Sequence, residues 1–185
     1  MRLHFLRHGM TEASEKRLYC GHTDLPLSEQ GRSDLAMLKE TIIYPKADIY
    51  ITSGLTRACK TLYILYNREP DLIMEEFKEI DFGNFEMKSH EDLKDEPEYQ
   101  RWINDGSCPG GESRDVFRNR VMTGLDKLSA LDAESAVVIC HGGVIVLIME
   151  QLFPGEKNFY EWQPGFGHGY SFDIFDGSAT LVSQL

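Results

Sequence analysis

Apolar positions fall into short runs that switch between strand-like alternation and helical spacing. Residues 2–6 (Arg-Leu-His-Phe-Leu) read as a strand that delivers Arg7, His8 and Gly9 into a loop at its carboxyl end. Polar and turn-forming residues fill 10–27, and Ser28 then offers an N-cap ahead of Leu35, Leu38 and Ile42. Residues 47–52 alternate as a strand, after which Leu55, Ala58, Leu62 and Leu65 recur at helical spacing. A short strand is expected at 72–74. Phe117, Val121, Leu125 and Leu128 mark a helix within 113–131. Residues 136–140 (Ala-Val-Val-Ile-Cys) form an unbroken apolar run, the pattern of a central strand covered on both faces. His141-Gly142-Gly143 follows, then an apolar helix to 152 that stops before Pro154-Gly155. Strands at 170–175 and 180–182, joined at Asp176-Gly177, complete the series.

Strands alternating with helices predict an α/β protein, a three-layer sandwich with a mostly parallel central sheet flanked by helices. The closing strand-turn-strand predicts an antiparallel element at one edge. Residues 75–109 depart from the pattern. Between Glu69 and Glu98 stand twelve acidic residues against three lysines. This stretch reads as a solvated, loop-rich excursion with a short helix near 99–103, too poor in apolar residues for a core of its own. The expectation is one domain over 1–185 with a small cap-like excursion around 75–112.

Composition narrows the function. The 185 residues carry a formal net charge of -11, which argues against general binding to nucleic acid. No apolar run reaches the ~20 residues that span a bilayer, so no membrane partner is expected. The start, Met-Arg-Leu-His-Phe-Leu-Arg-His-Gly, lacks the apolar region of an export signal, so a cytoplasmic location is expected. Cys20, Cys59, Cys108 and Cys140 are widely and irregularly spaced, unlike a zinc ribbon or a disulfide framework, and are expected as reduced thiols.

Ligands of open α/β sheets bind at the carboxyl ends of the strands. Three predicted strands end in reactive side chains: Arg7-His8-Gly9, Ser53-Gly54-Leu55-Thr56-Arg57, and His141-Gly142-Gly143. Two histidines and two arginines placed together suit a phosphoryl group. Arginine binds its oxygens bidentately and keeps its charge, while histidine attacks phosphorus or donates a proton. Each piece alone has a plainer reading: His141 as a turn histidine, Arg57 as a surface residue. Cys140 ends an apolar run, and adjacent strand residues point oppositely, so burial is expected rather than nucleophilic use. His4 is expected to be structural and His90 exposed. No His-x-x-x-His or His-x-His spacing supports a metal site.

The order of these motifs resembles the histidine phosphatase (phosphoglycerate mutase-like) superfamily along most of the chain. Leu6-Arg7-His8-Gly9-x-Thr11 resembles its signature. The stretch from Tyr19-Cys20-Gly21-His22-Thr23-Asp24 to Gly31 resembles the segment that follows. Ser53-x-Leu55-x-Arg57-Ala58-x-x-Thr61 resembles its second arginine motif, and Glu79-x-x-Phe82-Gly83-x-Phe85-Glu86 its acid-bearing loop. Pro109-Gly110-Gly111-Glu112-Ser113 and His141-Gly142-Gly143-Val144-Ile145 complete the set.

The resemblance implies a phosphoglycerate mutase-like fold and a catalytic set of His8, Arg7, Arg57, His141 and Glu79. His8 would be the nucleophile. Arg7, Arg57 and His141 would hold the phosphoryl oxygens. Glu79 would be general acid and then base, with Asp81 the competing acid. Ser14, Gly21, His22, Thr23 and Gly142 would line the substrate pocket. The expected substrate is a small phosphorylated metabolite, and neither metal nor other cofactor is expected. Two positions depart from the family pattern: Ser14 replaces an asparagine that usually touches the phosphate, and Met87 replaces a common glycine. The excursion is short for the enclosure a mutase needs, which favours a phosphatase. The 21–28 and 109–113 stretches look most like α-ribazole phosphatases, making α-ribazole 5'-phosphate a candidate substrate. Mutase-type transfer and a weakly catalytic phospho-ligand binder remain the alternatives, and the oligomeric state is open.

Overall fold

The computed structural model describes residues 1–185, apart from the side chain of Asp105. In chain order the elements are β1 (Arg2–Arg7), α1 (Glu12–Glu15), α2 (Glu29–Thr41), β2 (Ile49–Thr52), α3 (Thr56–Tyr66) and β3 (Leu72–Ile73). Two 3₁₀ turns, Glu75–Phe77 and Gly83–Phe85, precede α4 (His90–Leu93) and α5 (Pro97–Asp105). Then come α6 (Arg114–Ser129), β4 (Ser135–Cys140), α7 (Gly142–Leu152), α8 (Phe159–Trp162), β5 (Gly169–Phe175) and β6 (Ser178–Gln184).

The six strands form one sheet in the order β3-β2-β4-β1-β5-β6. The first four are mutually parallel, whereas β5 pairs antiparallel with β1 and β6 antiparallel with β5. The central strands carry the apolar runs noted above because both their faces are covered. Alternation sorts their side chains into two layers. Ala136, Val138 and Cys140 of β4, with Leu3 and Phe5 of β1, pack under α6 and α7 through Val121, Leu125, Leu128, Ile145 and Ile148. Val137 and Ile139, with Leu6, face Leu35 of α2 and Ala58, Leu62 and Leu65 of α3. The observed sheet flanked by helices is the predicted three-layer arrangement.

The acidic segment carries the expected short helix, α5, and no core of its own, but it is less solvated than expected. Phe77, Ile80, Phe85, Leu93, Tyr99 and Cys108 are buried and belong to the same core cluster as Phe5 and Val138. Most of its charges face solvent, while its scattered aromatic residues join the main core. Tyr19, Phe82, Phe85, Tyr99 and Trp102 form an edge-to-face group there, with ring centroids 5.0–6.0 Å apart. Among the described residues no helix is long and apolar enough to cross a membrane.

Candidate active site

The register of the sheet brings the site together. Arg7 at the end of β1 is paired with Cys140 at the end of β4, and the His8 N–H donates to the Cys140 carbonyl at 2.9 Å. His8 and His141 therefore leave neighbouring parallel strands side by side, with ring centroids 5.0 Å apart. On the other flank of β4, β2 ends at Thr52, and the Ser53 N–H donates to Ile139 O at 3.3 Å. That contact sets Ser53 Oγ 2.8 Å from His141 Nε2. The chain then turns into α3, whose first turn carries Arg57 inward, fully buried.

A cavity of about 220 Å³ opens at these strand ends, lined by Arg7, His8, Thr11, Ser14, Arg17, Leu18, Cys20, Arg57, Glu79, Gly142 and Phe166. Each charged group at its base is held from behind. The Arg57 guanidinium donates to the carbonyls of Thr23 at 2.9 Å and Gly21 at 2.6 Å. Arg7 donates to Pro164 O at 2.9 Å, and its guanidinium lies 4.0 Å over the Phe166 ring. Glu79 accepts the Gly143 N–H at 2.9 Å and the Ile80 N–H at 3.0 Å. Arg120 of α6 fixes the backbone leading to it. That guanidinium donates to the carbonyls of Glu76 and Lys78 at 2.9 Å and of Glu79 at 3.1 Å, and forks onto the Glu112 carboxylate at 2.8 and 2.6 Å. A side chain at residue 143 would collide with Glu79, since a Cβ there would stand 2.4 Å from its Oε1.

Three buried nitrogens at this place have no partner: Arg7 Nε, Arg57 Nε and His141 Nδ1. Buried polar atoms are nearly always paired; of the seven exceptions among the described residues these three stand together, two of them on residues that line the cavity and the third on the neighbour of His8. The first turn of α7 begins at Gly142 on the cavity wall and adds the positive end of a helix dipole.

Burial and charge agree on the state of the histidines. Burial pushes the His8 pKa well below the usual histidine range, and the cations of Arg57 and Arg7 push the same way against the bond to Gly9. His141 is lowered well below that range too, by burial first and then by Arg57, His8 and Arg7. Both rings are neutral near pH 7. His8 Nδ1 lies 2.6 Å from the Gly9 carbonyl, which must accept, so the proton sits on Nδ1 and Nε2 keeps its free lone pair.

Of the expected site residues, the structure gathers Arg7, His8, Arg57, Glu79, Ser14 and Gly142 at the cavity, with the His141 ring beside that of His8 but not itself on the wall. Gly21, His22 and Thr23 do not line it. The carbonyls of Gly21 and Thr23 grip Arg57, while the N–H groups of Gly21, His22 and Thr23 all donate to the Glu86 carboxylate, at 2.9–3.3 Å. His22 is exposed, with Nδ1 3.7 Å from Asp81. The Ser14 hydroxyl is engaged with Thr11, 3.0 Å from its Oγ1. Met87 adopts φ 60°, a left-handed conformation that explains why glycine suits this position. Sequence reasoning missed Arg17 and Phe166 on the cavity wall; only the glycines flanking Phe166 hinted at a shaped loop. Cys140 and His4 are buried as expected, with His4 Nδ1 2.7 Å from Ser171 Oγ. Among the described residues no group of three or more His, Cys, Asp or Glu side chains is placed to hold a metal ion.

Comparison with known proteins adds independent findings. The model of the histidine phosphatase superfamily, branch 1, matches residues 3–182. The adenosylcobalamin/alpha-ribazole phosphatase of Salmonella typhimurium is 33% identical over 190 residues, covering 98% of this chain and 94% of that protein. Its Escherichia coli counterpart is 34% identical over 191 residues, with the same coverage of 98% and 94%. The crystal structure of the alpha-ribazole phosphatase from Shigella flexneri superposes with a TM-score of 0.87 at 30% identity, covering 100% of this chain and 96% of that one. That of phosphoglycerate mutase from Thermus thermophilus gives 0.77 at 29% identity, covering 100% and 98%. Motifs, fold and comparisons converge, and the chain belongs to the histidine phosphatase superfamily.

Proposed function

We propose that this protein hydrolyses small phosphomonoesters through a phosphohistidine on His8. The observation that carries the reading is the set of three unpaired buried nitrogens, Arg7 Nε, Arg57 Nε and His141 Nδ1, beside a neutral histidine with a free Nε2. His8 Nε2 attacks phosphorus, and the bond from phosphorus to the leaving oxygen breaks. Arg7, Arg57 and His141 donate to the phosphoryl oxygens and stabilise charge in the transition state. Glu79 gives a proton to the departing alkoxide. It then takes a proton from the water that attacks the phosphohistidine, which releases inorganic phosphate and restores His8.

The substrate is a small phosphorylated metabolite, and α-ribazole 5'-phosphate heads the panel because proteins named for that activity resemble the chain over almost its whole length. The test is hydrolysis of p-nitrophenyl phosphate with excess chelator, native chain against His8→Ala. Chelator-resistant activity that vanishes in the variant is the expected outcome. Equal activity in both would sink the role given to His8.

A further inference from the structure

Helix α1 ends at a turn whose geometry is made for glycine. The Leu18 N–H donates to Ala13 O at 2.8 Å, and the Arg17 N–H donates to Ser14 O at 3.1 Å. These are the paired bonds of a Schellman motif, in which one residue is left-handed. That residue is Arg17, at φ 54°. Any side chain there is strained, and strain of this kind concentrates at functional sites.

Arg17 lines the same cavity as His8, Arg7 and Arg57. Its surroundings leave it free. Lys16, the next cation along, pairs with Glu12 at 3.5 Å. Among the described residues the Arg17 guanidinium makes no hydrogen bond or ion pair. Ser14 on the same wall is already engaged with Thr11. Arg17 is exposed at the rim, whereas Arg57 and His141 are fully buried at the base and Arg7 is largely covered. The buried groups have donors enough for the transferred phosphoryl oxygens. In a chain of net charge -11, an unpaired guanidinium beside the cavity is a local attractor for anions.

We propose that Arg17 binds a second anionic group, a carboxylate or phosphate on the alcohol portion of the substrate, and so selects phosphomonoesters that carry one. The inference rests on the hydrolase reading above, though not on α-ribazole 5'-phosphate as the substrate, and it ranks doubly anionic esters ahead of that one. A neutral nucleoside alcohol gains nothing from Arg17; a phosphorylated hydroxy acid or a bisphosphate gains a charge-assisted contact.

Matched substrates test it: 3-phosphoglycerate and glycerol 1,3-bisphosphate, each against glycerol 1-phosphate, with native protein, Arg17→Gly and Arg17→Lys. Glycine fits the left-handed position without strain, so Arg17→Gly removes the cation and keeps the turn. The ratio of kcat/KM for a doubly anionic substrate to that for glycerol 1-phosphate is expected to fall roughly fivefold in Arg17→Gly, mostly through KM, and less in Arg17→Lys. The native ratio is expected to decline with added salt. The two doubly anionic substrates show whether carboxylate or phosphate is preferred. Unchanged ratios in Arg17→Gly, with turnover intact, overturn the assignment of Arg17 alone. Native protein active on p-nitrophenyl phosphate but inactive on both doubly anionic esters overturns the assignment of Arg17 alone; native protein inactive on p-nitrophenyl phosphate as well overturns the hydrolase reading, and this inference with it.

Discussion

Ser53 Oγ lies 2.8 Å from Nε2 of His141, and both side chains are buried. His141 is neutral, so it carries one N–H, and the Ser53 hydroxyl can donate to Nε2 or accept from it. With the Ser53 proton donated to Nε2, the ring proton sits on Nδ1, the unpaired nitrogen beside His8. Ser53→Ala removes that bond without touching the cavity wall. The expected result is a fall in kcat of about tenfold with KM nearly unchanged. Steady-state kinetics check it, and Ser53→Thr, which keeps the hydroxyl, is expected to recover most of the rate.

The depressed histidines make stability depend on pH. In the unfolded chain His8 takes up a proton near pH ~6.5, whereas in the folded chain its pKa lies well below that. As pH falls below ~6.5 the unfolded state binds more protons, so stability is lost on acidification and recovered as pH rises. Each such histidine contributes a slope of up to about 1.4 kcal/mol per pH unit in that window. Urea unfolding at pH 7.5 and 5.5 is expected to show a smaller drop for His8→Asn than for the native chain. An identical drop would remove His8 from the account.

Glu86 gathers N–H groups from Gly21, His22, Thr23 and Phe82 onto one carboxylate, at distances of 2.9–3.3 Å. The same loop presents its carbonyls to Arg57. Glu86→Ala is expected to destabilise the protein by about 2–3 kcal/mol through stranded donors and to raise KM through a loosened Arg57. Denaturant midpoints and kinetics of Glu86→Ala and Glu86→Gln check it. The glutamine variant is expected to fall between the native chain and the alanine variant, since it keeps acceptor capacity but no charge.

Met87 holds φ 60° with an exposed side chain. Met87→Gly relieves the left-handed strain and is expected to stabilise the fold by about 1 kcal/mol, read as a higher urea midpoint with unchanged slope.

These residues also show what a sequence discloses. His8, His141 and Ser53 were legible because each follows a run whose hydrophobic pattern marks a strand, and parallel strands bring their carboxyl ends together. Arg57 was legible one helical turn later. The helix of the acidic segment was legible, but the burial of its apolar residues was not. Phe77, Phe85, Leu93 and Tyr99 are scattered among charges without a period, and their burial depends on partners in β1, β4 and α6 that no local window contains. Gly21 and Thr23 were expected at the substrate and are found holding Arg57, because the function of a carbonyl depends on what the fold sets against it. Arg17 carried no local signal at all; its left-handed backbone is set by the way α1 ends.

The position of β1 has a consequence for how the protein is made. The strand sits between β4 and β5, so its hydrogen-bonding partners are residues 135–140 and 169–173. During synthesis it leaves the ribosome long before either neighbour exists. Leu3, Phe5 and Leu6 must remain uncovered or be sheltered through that interval, a hazard for aggregation and a reason for slow closure. The contact between His8 and His141 comes into being at that same closure. An inactive nascent chain therefore acquires its reactive centre in one late, cooperative event, and a chain halted before β4 has a histidine but no site.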